Sequence, residues 1–158
     1  MNEFVHNYFI ESPFFTSVAP FAAQLHWSYW PTVEDYYAQL NRLGAPIQFV
    51  AQANEQAYEL QIAQSGQVPT RYGNWHDYFN ALCWCAFPRV KSAFNRLHQQ
   101  HWQSSMRTRP RDGLTLLDES GVIVLSDDET LLQLIATMNW PELFVTRREN
   151  TRTHLKVL

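Results

Sequence analysis

Between residues 74 and 91 the chain reads Asn-Trp-His-Asp-Tyr-Phe-Asn-Ala-Leu-Cys-Trp-Cys-Ala-Phe-Pro-Arg-Val-Lys, and no other stretch restricts the fold as much. His76, Asp77 and Asn80 crowd into about one helical turn inside a strongly apolar run. Polar groups set among apolar ones need hydrogen-bond partners, because burying them unpaired costs on the order of 1–3 kcal/mol. The block therefore predicts a helix over 75–86 with a polar cluster built into it. Pro88 suits the first turn of a second helix to about residue 102, since its missing N–H is not needed there. The same proline pushes Phe87 off helical angles, so a bend is expected at that junction.

The flanks are less sharply defined. At 158 residues, with 46% hydrophobic and 17% charged side chains, the chain reads as a single globular domain over 1–158. Six Trp, seven Tyr and ten Phe give more aromatic surface than a small core needs. Residues 1–31, punctuated by Pro13, Pro20 and Pro31, read as an aromatic arm packed on the core. Thr32 caps a following helix, with Asp35 in the place of the capping-box acid and Gly44 after the last turn. Residues 46–52 and 57–63 look like strands, the second because Tyr58, Leu60 and Ile62 alternate with polar neighbours. Asn54-Glu55-Gln56 would be the hairpin loop between them.

Ser65-Gly66-Gln67-Val68-Pro69 breaks that pattern. Residues 107–112 read as a basic extended segment, and 113–117 with 122–125 as a hairpin around Asp118-Glu119-Ser120-Gly121. Ser126 or Asp127 would cap a helix to about Met138, with a short helix at 141–144 and a strand-like tail over 151–158. The expected class is α+β, a domain of short helices with antiparallel β-hairpins.

Charge and cysteine content narrow the function classes. A net charge of −3 argues against binding nucleic acid by wholesale phosphate neutralisation. No basic-then-apolar leader and no run of membrane-spanning length is visible, so no membrane association is expected. Cys83 and Cys85, two apart on a helix, point about 200° apart and do not suit a mutual disulfide. Two packed, reduced thiols fit a cytoplasmic protein.

The block resembles a bacterial family known as domain of unknown function 3025. The matching text is Val68-Pro69-Thr70-Arg71, Asn74-Trp75-His76-Asp77, Phe79-Asn80-Ala81-Leu82 and Phe87-Pro88-Arg89 with Lys91, Asn95 and His98. It continues through Arg109, Arg111-Asp112, Leu114-Thr115-Leu116 and Asp118-Glu119-Ser120-Gly121. The resemblance is firm over roughly 65–125, a block of 68–125 at its centre. Members of that family usually continue into a further block with a Phe-Gly-His motif, and this chain stops at Leu158, about where that block would begin, as a short member, a truncated gene or a fragment would. The resemblance gives a location and no reaction.

Within that location His76, Asp77 and Asn80 are the candidate catalytic residues. His76 and Asn80 share a helical face, and a histidine with a nearby carboxylate is the minimum equipment for general acid–base chemistry. Asp77, the next residue, should point about 100° away, leaving another carboxylate such as Asp112 to orient the imidazole. The structural alternative is that these side chains cap and cross-link the helix start.

Arg107, Arg109 and Arg111 would share one face of an extended segment and require anions. With Arg71, Lys91 and Asp112 they form the candidate ligand-binding set, either for a small anionic ligand or for carboxylates of the chain itself. Lys91, Asn95, His98 and Trp102 make a second polar stripe. A His76–His98 metal pair is not expected, since on a straight helix the two would stand roughly 33 Å apart. Glycine-rich phosphate loops, Gly-x-Ser-x-Gly and His-Glu-x-x-His are all absent, so no cofactor is expected.

Two functions follow as expectations. One is an interaction or structural module with a polar site around His76, binding a protein partner or self-associating through the apolar tail 155–158. The other is a hydrolase acting on a phosphate- or carboxylate-bearing substrate, with His76 as general base and Arg109 and Arg111 as anion stabilisers.

Overall fold

A computed structural model describes residues 3–10, 12–25, 27–44, 46–53, 58–102 and 108–158. Arg107 and the expected hairpin loop Asn54-Glu55-Gln56 lie outside the described residues. The fold is α+β, and its contacts form two compact units, Met1–Asp118 and Glu119–Leu158.

In the first unit a short helix, α1 (Ala19–Ala22), precedes α2 (Val33–Arg42). Thr32 and Asp35 close a reciprocal capping box at the start of α2, with Thr32 Oγ1 accepting from the Asp35 N–H at 3.2 Å and the Asp35 carboxylate accepting from the Thr32 N–H at 2.8 Å. Gly44 ends the helix at φ +88°, a left-handed angle that costs glycine little. Strand β1 (Gln48–Ala51) then pairs with β2 (Gln67–Thr70) in parallel, Phe49 opposite Val68.

That parallel pairing corrects the expectation of an antiparallel hairpin here. Parallel neighbours need a crossover rather than a tight turn, and helix α3 (Tyr58–Ser65) supplies it. The alternation of Tyr58, Leu60 and Ile62 imitates a strand, but Tyr58 and Ile62 are also four apart, and Ile62 is buried on a helical face. Pro69 is tolerated because this sheet has only two strands, so an N–H can be spared at its edge.

Helices α4 (Trp75–Ala86) and α5 (Pro88–Gln100) follow as expected, hinged at Phe87 with φ −131° and ψ 51°. Next comes α6 (Arg109–Ser120), where the sequence suggested an extended basic segment and a strand. Pro110 falls in the first turn of α6, where a proline is harmless, and residues 113–117 continue that helix instead of forming a strand.

The core of this unit is aromatic and centres on α4. Leu40, Ala81 and Leu82 are wholly buried, and Tyr36, Phe49, Tyr78 and Trp84 nearly so. Phe4 stacks on Trp75 with ring centroids 5.4 Å apart, and Phe15 stacks on Phe79 at 5.3 Å. Tyr8 meets Trp75, Tyr78 and Phe79 edge-on. Such contacts contribute about 0.5–1.5 kcal/mol each beyond area burial.

The second unit pairs β3 (Val124–Ser126) antiparallel with β4 (Leu155–Val157), Val124 opposite Val157, so the apolar tail finds its strand partner within the chain. Between them lie α7 (Glu129–Ala136), a π-helical turn over Glu142–Thr146 and α8 (Arg148–His154). The strand-like reading of 151–158 is thus corrected in its first half, where Thr151 is buried and donates to the Leu143 carbonyl at 2.7 Å. Asp128, rather than Ser126 or Asp127, caps α7; its carboxylate accepts from the Thr130 N–H at 2.9 Å and from Asn150 Nδ2 at 2.7 Å.

Replacing the fully buried Leu82 tests where the stability of the first unit resides. Leu82→Ala should cost about 2–5 kcal/mol, read as a lower midpoint in urea denaturation followed by tryptophan fluorescence.

Candidate functional site

The site begins where β2 ends. Gly73 turns the chain at φ +67°, and Asn74 caps α4, its Oδ1 accepting from the Asp77 N–H at 3.1 Å. This turn folds Arg71 back onto the first turn of α4. Asp77 is buried, and its carboxylate is surrounded by donors. Oδ2 accepts from the Arg71 main-chain N–H at 2.7 Å and from Arg71 Nε at 2.9 Å. Oδ1 accepts from Arg71 Nη2 at 2.8 Å and meets His76 Nδ1 at 3.0 Å.

Burial alone pushes the Asp77 carboxyl up, but the hydrogen bonds from Arg71 and His76 and the guanidinium charge outweigh it and hold it below the usual carboxylate range. An ionised carboxylate only accepts, so the proton on the His76 ring belongs on Nδ1. The ring itself is 66% exposed, which leaves Nε2 toward solvent. Arg71 is half exposed. The expectation that Asp77 points away from His76 and that Asp112 orients the imidazole is corrected: a carboxylate one residue on can swing back over the helix start, because no preceding turn blocks it.

Asn80 does not share this cluster's hydrogen bonds. Its Nδ2 donates to Tyr58 Oη at 2.6 Å, tying α4 to α3. Burial raises the Tyr58 hydroxyl, with the Asn80 bond opposing it. Burial likewise raises both thiols, Cys85 to about 12, which leaves them poor nucleophiles.

The basic residues separate. Arg109 and Arg111 are two apart on α6 and so face about 200° from each other. Arg109 is exposed, whereas Arg111 is buried with its guanidinium 4.0 Å from the centroid of the Trp102 ring. A shared arginine face was therefore an artefact of reading a helix as a strand. Lys91 Nζ lies 2.7 Å from both Asp118 oxygens and 5.8 Å from the Trp84 ring centroid. Asp118 and Trp102 were not singled out as site residues. The signal for Asp118 was hidden by placing it in a hairpin turn; on a helix it lies within reach of Lys91. Among the described residues no group of three His, Cys, Asp or Glu side chains is arranged to hold a metal ion. None of the described helices is long and apolar enough to cross a membrane.

Fold and site together define an α+β protein with a polar cluster fixed at a helix start. A family model described as "Protein of unknown function (DUF3025)" matches residues 47–158. The chain belongs to that family. No curated protein and no solved structure matches it.

Because the folded Asp77 is more acidic than an ordinary aspartate, its contribution to stability is complete above the ordinary value of 3.8 and is lost as pH falls through the lowered folded value. Asp77→Asn should cost about 1–3 kcal/mol near pH 7. It should also flatten the loss of stability of the parent chain below about pH 4, measured by thermal melts across pH.

Proposed function

We propose that this chain is a cytoplasmic interaction module that recognises carboxylates on a partner through Arg71, at a polar site around His76. The observation that carries the reading is the Asp77 carboxylate, whose bonds to Arg71 and His76 hold the half-exposed guanidinium and the exposed ring in one orientation. Fixing side chains before binding removes part of the ordering entropy that recognition otherwise costs. The free thiols Cys83 and Cys85 fit a reducing compartment.

A second reading rests on the same contact. A carboxylate on Nδ1 with Nε2 exposed is the arrangement of an oriented general base, so hydrolysis of a phosphate or carboxylate ester is the alternative. Arg71, rather than Arg109 or Arg111, would then stabilise the anion.

Titration of the labelled protein with hexaglutamate and with hexaglutamine, followed at the His76 ring and Arg71 Nε, tests the module. Shifts with hexaglutamate alone, weakened by salt and reduced about tenfold in affinity by Arg71→Gln, are expected. Equal response to both peptides, or none, would rule it out. Turnover of p-nitrophenyl phosphate or acetate that His76→Ala abolishes would select the hydrolase instead.

A further inference from the structure

Helix α5 carries a basic stripe that takes no part in the Arg71–His76 cluster. Arg89 and Arg96 stand two turns apart on one face, with Ser92 and Ala93 between them. Both arginines are exposed. Among the described residues neither is engaged in a hydrogen bond or an ion pair. That sets them apart from Arg71, bound to Asp77, and Lys91, bound to Asp118.

The stripe borders an open depression of about 460 Å³, lined by Pro46, Pro88, Arg89, Ser92, Ala93 and Arg96. That volume lies within the range of small-molecule sites, roughly 300–1,000 Å³. Pro46, Pro88 and Ala93 offer apolar surface, and Ser92 offers a hydroxyl between two full positive charges. The lining includes no aspartate or glutamate, so nothing in the hollow cancels those charges. Like charges on one helix face repel until an anion sits between them. A carboxylate brings a single negative charge, whereas a phosphate monoester brings about −1.5 to −2 near pH 7. The ester matches the pair.

We propose that this depression binds a small organic phosphate monoester. Its phosphate sits over Ser92 between Arg89 and Arg96, and its apolar body lies against Pro46, Pro88 and Ala93. The arginines are roughly 10.5 Å apart along the helix axis, and their long side chains approach the phosphate from opposite ends. Guanidinium forks match phosphate oxygens two at a time, and a serine hydroxyl can donate to a third. The first turn of α5 adds partial positive charge at the Arg89 end, a minor contribution beside two full cations. Because the hollow is open to water, binding should weaken with added salt.

The test is NMR of the labelled full chain, read at Arg89 and Arg96 Nε during titration with phenyl phosphate, inorganic phosphate and benzoate. Phenyl phosphate should shift both resonances saturably. Inorganic phosphate should shift the same two with affinity about tenfold lower, for want of the ring, and benzoate should leave them in place. Arg89→Gln and Arg96→Gln should each weaken phenyl phosphate about tenfold, the loss of a charge-assisted hydrogen bond. Both side chains are exposed and unpaired, so neither change should disturb the fold. Arg152→Gln, which removes one positive charge from the second unit, should leave binding unchanged. Benzoate or inorganic phosphate binding as tightly as the ester overturns the proposal, as does a shift confined to Arg71 Nε or no saturable shift. A serine-phosphorylated hexapeptide bound about tenfold more tightly than phenyl phosphate would make the ligand a protein and overturn it as well.

Discussion

The Asp77 carboxylate is the interaction on which the first unit turns. A buried carboxylate carries a desolvation cost of several kcal/mol unless donors replace the water it loses. Four contacts do so, three from Arg71 and one from His76. Three of those come from the residue immediately after β2, so the carboxylate ties the end of the parallel sheet to the start of α4. The Asn74 cap adds a second tie across the same turn. Sheet and helix are thereby held at one angle, and the aromatic residues that follow on α4 are aimed into the core.

That aim matters because α4 is shared by most of the packing. Tyr78 touches Phe4, Tyr8, Trp27, Tyr36, Trp75 and Phe79 through ring contacts. Large rigid rings tolerate little misplacement in an interior packed as densely as an organic crystal. A helix start free to rotate would spread its error through every one of those rings. The polar cluster and the aromatic core are two halves of one constraint, applied to opposite sides of the same first turns.

The sequence was legible where a local signal and the tertiary arrangement agreed. Thr32 with Asp35, and the Phe87-Pro88 junction, carry their own stereochemistry, and α2, α4 and α5 lie where those residues place them. It misled where a short apolar alternation fitted two periods at once. Residues 58–63 satisfy a strand pattern and a helix pattern equally, and the choice was made by the parallel pairing of β1 with β2, which no local window contains. The arginines failed for the same reason: spacing by two unites side chains on a strand and divides them on a helix. At the site, His76, Asp77 and Arg71 were identified by type. Their mutual bonding depends on the turn at Gly73, whose positive φ folds Arg71 back.

Satisfied and unsatisfied buried polar groups carry different kinds of information. Asp77 has every partner it needs, so its burial is explained by the fold alone; what it leaves for function are the exposed edges of the residues that serve it, His76 Nε2 and the outer face of Arg71. His98 is the reverse case. Among the described residues no group pairs with its buried Nδ1, which leaves the cost of hiding that nitrogen uncompensated there. The two histidines thus stand in opposite states, one bonded to a buried carboxylate and the other with an unpaired ring nitrogen.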